Sequence, residues 1–295
     1  MAFSKGNITK ESEGFSLYTG IAPVNVLAVN PTKEELEKIY NREQENDPVY
    51  ITENDFDGKK VKSVRIDFIV KAVKEFEELN FITKVSFFLR EAARFNRDET
   101  KVQVIDIFGN TAWVTKEELN THAIPVYSNG PANLNKDYRP CFVGEEALTN
   151  FLKLYLGIPS NREYKNGTWI PRVDTTECEA RLSDIKKYFT GDFSELKDIM
   201  AYQPDNYIKC LFGVRTTDDN KQYQTVFTEK FISGNSKKFE TIEKELNARK
   251  DAGAYSTTEF DIAPLHKYEV TPTTFSNNND PLAGAEKVID NPWNV

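Results

Sequence analysis

The stretch YIKCLFGVR, residues 207–215, places two kinds of residue on opposite sides of an extended chain. Side chains alternate with a period of two, so Ile208, Cys210, Phe212 and Val214 share one face. That face is plain core. Tyr207, Lys209, Leu211, Gly213 and Arg215 form the other, where a ring and two cations sit with a Leu and a Gly. This is an odd mixture for a surface that only meets water. Two earlier stretches carry the same kind of face. In KVKSVRIDFIVKAV, Arg65 and Lys71 oppose the row Val64, Ile66, Phe68, Val70 and Ala72. In FITKVSFFLREAARF, Lys84, Phe88 and Arg90 oppose Thr83, Val85, Phe87 and Leu89.

Single-stranded nucleic acid needs this combination, with cations tracking phosphates and flat rings on which unpaired bases stack. Stacking contributes roughly 1–3 kcal/mol per base and tolerates any sequence, because every base has a π-face. The candidate contact set is therefore Arg65, Lys71, Lys84, Phe88, Arg90, Tyr207, Lys209 and Arg215. The competing reading is an ordinary solvated face on three strands, where Lys and Arg are common. Trp113 and Trp169 could also stack, although loop or core positions are commoner for Trp.

Catalytic chemistry finds little support. The two histidines, His122 and His266, are isolated, and no Gly-rich phosphate loop of common spacing occurs. The GxSxG, HExxH and Cys–His signatures are missing as well. Asp218-Asp219 falls between two strands and reads as a turn, and Asp106 alone makes no ligand set. Cys141, Cys178 and Cys210 lie far apart with no CxxC pair, which excludes a zinc site of ordinary spacing. The expectation is a protein with no catalytic residues, no metal and no cofactor, not an enzyme.

A formal net charge of −8 argues against phosphate binding until its distribution is considered. From Ala254 to Val295 six acids face two bases, so half of the negative balance lies in the last stretch. The remainder is near enough to neutral to hold a basic groove. The terminal VIDNPWNV places Asp290, Pro292 and Trp293 in an acidic, turn-rich context that suits partner docking. Such a tail can also compete with nucleic acid for the groove; a frayed end without a role is the alternative. Sparse, unpaired thiols suit a reducing interior. Met1–Gly14 is polar, and no apolar run approaches the ~18–20 residues that span a bilayer. A soluble intracellular protein without membrane contact is expected.

The elements that would position these residues can be read along the 295-residue chain. Aromatics make up 12% of it, which points to an aromatic-rich β core. Residues 1–14 read as a loose arm. FSLYTGIAPVNVLAVN reads as a strand pair, or one long strand bent at Gly20 and Pro23. Thr32 followed by Glu35 predicts a capped helix start, and Asp57-Gly58 a hairpin. Strands follow near 61–73, 82–90 and 101–108 with no long helix between them. After a turn-rich loop at 128–140, GEEALTNFLKLYLGIP predicts a helix, and 179–201 one or two more. Strands return at 207–215 and 222–232, before a last helix in SKKFETIEKELNARKDAG. The fold class is mixed β with α insertions. It is read as an OB-fold-like antiparallel barrel over 15–270, with an inserted helical region at about 143–200 and a flexible acidic tail at 271–295.

Four stretches also resemble a known family when taken together: FSLYTGIAPVNVLAVNPTKEELEKIYN, RIDFIVK, VQVIDIFGNTAWVT and GPANLNKDYRPCFVGEEALTNFLKLYLGIP. They are similar to the single-stranded DNA-binding proteins of tailed phages of Bacteroidetes hosts, including crAss-like phages. The resemblance spans roughly 15–160 and is one of overall wording, without a short fingerprint. It implies an OB-fold-type barrel, a role in phage DNA replication or recombination in the host cytoplasm, and no chemistry of its own. Phage replication proteins become the implied partners of the tail. No DNA-contacting residue is carried over from the family. The rival reading is a non-enzymatic phage virion structural or assembly protein, whose polar faces are protein contacts.

Overall fold

The computed structural model describes residues 16–56, 58–121, 138–172, 176–179, 185–201, 205–218, 221–228, 231–233, 239–253 and 257–269. The expected arm at 1–14 and the tail at 271–295, with Asp290, Pro292 and Trp293, lie outside the described residues. The chain opens with β1 (Tyr18–Val29), α1 (Lys33–Tyr40), β2 (Ile51–Phe56) and β3 (Lys59–Ala72). A 3-10 turn (Lys74–Leu79) leads to β4 (Ile82–Ala93), β5 (Lys101–Ile105), β6 (Thr111–Thr115) and α2 (Lys116–Thr121). Then come β7 (Arg139–Pro140), β8 (Phe142–Val143), α3 (Glu145–Tyr155), β9 (Arg162–Lys165) and β10 (Thr168–Pro171). Two more 3-10 turns (Thr176–Cys178 and Ile185–Thr190) and α4 (Ser194–Ile199) precede β11 (Ile208–Thr216), β12 (Gln222–Val226) and β13 (Ile232–Ser233). The last elements are α5 (Phe239–Asp251), β14 (Thr258–Glu259) and β15 (His266–Lys267).

The architecture is mostly antiparallel β, with a main sheet curled into a half-barrel and a few helices. The main sheet runs in the order β12-β11-β1-β3-β4-β8. β1 joins the early and late strands, pairing with β3 along one edge and β11 along the other. It runs unbroken through Gly20 and Pro23. At Gly20, where φ is 106°, a Cβ would lie 2.7 Å from the Ala263 carbonyl, so glycine is what lets chain 263–265 lie alongside. Pro23 sits where β1 passes the end of β3, and its carbonyl accepts the Val73 N–H at 3.0 Å.

The strand expected at 101–108 is not in the main sheet. β5 forms a separate three-stranded sheet in the order β6-β5-β7. The reason is an irregularity in β4, whose register against β8 shifts between Arg90 and Ala93. Beyond it the strand bends away. The Arg94 N–H now reaches the Cys141 carbonyl at 3.0 Å, and the Gln103 N–H reaches Arg94 at 2.8 Å. A bulge of this kind kinks a strand and lets it serve two sheets.

One face of the main sheet builds the core. Val64, Ile66, Phe68, Val70 and Ala72 of β3, with Val85, Phe87 and Leu89 of β4, are buried as their alternation predicts. α3 lays Leu148, Phe151, Leu152 and Tyr155 on that face, and Phe151 meets Phe68 at 4.7 Å and Phe87 at 5.2 Å between ring centroids. The helices expected at 179–201 are the 3-10 turn Ile185–Thr190 and α4; Ile185, Tyr188, Phe189 and Leu196 join the same core. A smaller core lies on the opposite face of β11, where Leu211 packs with Phe227 and Leu246 of α5. No helix among the described residues is long and apolar enough to cross a membrane.

The capping box at α1 is present, with the Glu35 N–H donating to Thr32 Oγ1 at 3.3 Å and the Thr32 N–H to Glu35 Oε2 at 2.7 Å. Thr32→Ala should therefore lower stability by about 1 kcal/mol, the usual loss of an N-cap side chain. A urea melt should show a lower midpoint with an unchanged m-value. An unshifted midpoint would mean that α1 contributes nothing to the cooperative unit.

Candidate nucleic-acid interface

The outer face of the main sheet, opposite the core, collects most of the candidate residues. Across β3 and β4, Arg65 lies opposite Phe88, Ser63 opposite Arg90, Ile69 opposite Lys84 and Lys71 opposite Ile82. On the other side of β3, Lys71 pairs with Asn25 of β1, and Pro23, two residues earlier, pairs with Lys209 of β11. Side chains two apart in β1 point the same way, so Lys71 and Lys209 share this face. Arg65 and Lys71 are six residues apart on β3, about 20 Å at strand rise. The residues thus fall into two groups with different electrostatics.

The first group is built around Asp67, which is only 3% exposed. Its carboxylate holds Arg65 Nε at 3.0 Å and Lys84 Nζ at 3.5 Å, and accepts the Ser86 hydroxyl at 2.7 Å. Tyr50 lies under the Arg65 guanidinium, 5.6 Å from ring centroid to Cζ. Burial, and then the Asp67 charge, push the Tyr40 hydroxyl up to about 12 and raise Tyr50 as well. Two of the expected cations are therefore already bound to a carboxylate of the same chain. Phe88 stands beside them, 67% exposed, the most exposed large apolar side chain among those described. Arg90 is half-buried at the end of the row.

The second group lies toward β1 and β11. Lys71, Tyr207 and Lys209 are half-buried around Asn25, whose side-chain amide donates to the Asn206 carbonyl at 2.6 Å. Lys74, from the turn after β3, extends its ammonium over the Tyr207 ring, 4.8 Å from the centroid. Among the described residues no carboxylate forms an ion pair with Lys71 or Lys74. Sequence reasoning missed Lys74, because it belongs to a turn rather than to the alternating strand.

Arg215 does not join either group. Between it and Lys209 the outer face of β11 carries Leu211 and Gly213, and these lie beneath the small second core. A Cβ on Gly213 would come within 2.6 Å of the Glu259 carbonyl and 3.1 Å of the Phe227 ring. The odd Leu and Gly of the 207–215 face thus belong to a packing surface. Arg215 is exposed beyond that surface, paired with Thr258 of β14. The continuous basic groove expected across β3, β4 and β11 is interrupted there, because α5 and Phe227 cover the middle of β11.

Two further exposed rings lie on the smaller sheet. Trp113 is 40% exposed with Arg94 over its ring at 5.7 Å, and Phe95 is 43% exposed with Lys116 at 5.7 Å. Ala112 and Val114 point into the small core of that sheet, so alternation alone places Trp113 outward. Arg94 is also held by Glu146 at 3.0 Å. Burial acts to raise the Glu146 pKa, but hydrogen bonds from Gln103 and Thr111 and the Arg94 charge outweigh it and hold the carboxyl below its usual range. The Trp169 side chain lies outside the described residues.

A hollow of about 470 Å³ elsewhere is lined by Thr19, Glu259, Phe260, Asp261, His266 and Tyr268. His266 Nε2 approaches Asp261 Oδ2 at 3.3 Å, and the Tyr268 hydroxyl donates to Glu259 at 2.7 Å. Asp106, weighed as a lone ligand, is held by the Phe108 and Asn110 N–H groups at 2.9 and 2.8 Å, and so organises the β5–β6 turn. Among the described residues no three His, Cys, Asp or Glu side chains gather as metal ligands would. No family model, curated protein or solved structure matches this chain.

Proposed function

We propose that this chain is a single-stranded DNA-binding protein that coats and protects DNA during phage replication or recombination, without sequence preference and without chemistry of its own. The observation that carries this reading is the grouping of Lys71, Lys74 and Lys209 around Tyr207 on a sheet face. Cations beside an aromatic ring supply both halves of what an unpaired strand offers, its phosphates and its bases. Phe88, further along the same face, provides a second ring. In this reading the half-barrel is an OB-like barrel and the helical region about 143–200 an insertion. The protein acts in the cytoplasm of the bacterial host, and the acidic tail, through Asp290, Pro292 and Trp293, docks other phage replication proteins.

Titration with fluorescent oligo-dT at several salt concentrations tests the reading. Binding should prefer single strands to duplex and weaken steeply with salt, as counterions are released. Phe88→Ala should weaken oligo-dT binding by about 1–3 kcal/mol, the range for loss of one stacked base, with little change in Tm because the ring is exposed. Equal binding to duplex, or none at low salt, would remove the proposal.

A second reading has its own support. The Arg65–Asp67–Lys84 cluster already engages both cations with a carboxylate of the same chain, and an exposed Phe beside it suits a protein contact. A virion structural or assembly role predicts concentration-dependent self-association in sedimentation experiments. Phe88→Ala would then abolish that association while DNA binding stays undetectable.

A further inference from the structure

The backbone of Lys74 is unusual. Its φ is +62°, in the left-handed region that costs an ordinary side chain energy and that glycine occupies freely. Val73 donates its N–H to the Pro23 carbonyl at 3.0 Å, and the Phe76 N–H returns to Val73 at 3.3 Å, so the chain must reverse sharply at this residue. A glycine would meet that demand better. The chain keeps a lysine there, and its ammonium lies over Tyr207 at 4.8 Å. Strain held at one residue, with its charged end delivered to a candidate site, points to a use for that charge. The same turn bears Glu75, Glu77 and Glu78, yet among the described residues none of them forms an ion pair with Lys74.

We propose that Lys74 is a phosphate-binding residue that occupies the Tyr207 ring only while the site is empty. The inference rests on the single-strand reading and deepens it. A cation over an aromatic face is held loosely at an exposed position, by roughly 0.5–1 kcal/mol. A nucleobase competes well for the same face, since stacking is worth roughly 1–3 kcal/mol. When a base takes the ring, the ammonium moves off it on its flexible stem and meets the adjoining phosphate. Lys71, across Asn25 on the neighbouring strand, is placed to hold a neighbouring phosphate. Tyr207 and Lys74 thus exchange partners on binding, and among the described residues no carboxylate holds Lys74.

Lys74→Gly provides the sharpest test, because it removes the cation and relieves the backbone at once. Its Tm should equal or exceed that of the unaltered protein, while its oligo-dT affinity falls. The slope of log K against log salt should become shallower by about 0.7, the increment for one phosphate contact on a single strand. Lys74→Arg should keep the full slope. A lysine with a merely structural role would give the opposite pattern, a lower Tm with unchanged slope. Salt-dependent oligo-dT binding by the unaltered chain, with an unchanged slope in Lys74→Gly, overturns this inference and leaves the single-strand reading standing. No oligo-dT binding by the unaltered chain overturns both.

Discussion

Phe151→Ala should destabilise the protein by about 3–5 kcal/mol, the range for removing a large ring from a packed core. Phe151 is completely buried where α3 crosses the main sheet. Its ring contacts Phe68 of β3 at 4.7 Å, Phe87 of β4 at 5.2 Å and Phe231 at 5.0 Å, so it ties three separate parts of the chain together. Truncation would leave a cavity lined by other rings, whose shape lets them collapse into it poorly. The nearby Tyr155 hydroxyl, which accepts the Val26 N–H at 3.1 Å, would lose its alignment as α3 settles. Urea unfolding followed by circular dichroism measures the loss. Phe151→Leu should lose distinctly less, since it keeps most of the volume. A loss below 1 kcal/mol for the alanine variant would mean that α3 does not belong to the cooperative core.

On the single-strand reading, Asp67→Ala should move stability and oligo-dT affinity in opposite directions. Asp67 is buried, while the side chains of its partners Arg65 and Lys84 are 28% and 45% exposed. Removing one member of a buried pair costs about 3–5 kcal/mol when the other charge stays buried. Here both cations can turn to water, so the loss should be nearer 2–3 kcal/mol. The same substitution frees two cations beside the exposed Phe88. If single-stranded DNA lies across this face, oligo-dT affinity should rise at low salt. The slope of log K against log salt should steepen by up to about 1.4, two contacts at ~0.7 each. Asp67→Asn should show the same trend with a smaller stability loss, because the amide still accepts the Ser86 hydroxyl. Reduced stability with an unchanged slope would place Arg65 and Lys84 outside the DNA path.

Much of the local structure was legible in the chain because local rules govern it. The alternation in 60–73 and 81–95 identified the buried rows of β3 and β4, since a strand facing one core must repeat every two residues. Thr32 and Glu35 marked the start of α1 through a contact that spans only three residues. Lys74 escaped notice because its importance depends on φ and on a ring 133 positions away in the chain, neither of which leaves a pattern nearby.

By itself the sequence determined which faces exist: a core row and a polar row on each main strand, an aromatic-rich interior, and acids concentrated toward the C-terminus. Only the tertiary structure decided what those faces meet. It turned the end of β4 through a bulge, so that β5 left the main sheet for a smaller one. It placed α5 and Phe227 over Leu211 and Gly213, separating Arg215 from Lys209. It also set Asp67 between Arg65 and Lys84, while Lys71 and Lys74 were brought to Tyr207. Periodicity is a property of a single strand and reports which way a side chain points. Whether that side reaches water, a carboxylate or another layer depends on segments far along the chain, and long-range packing alone brings them together.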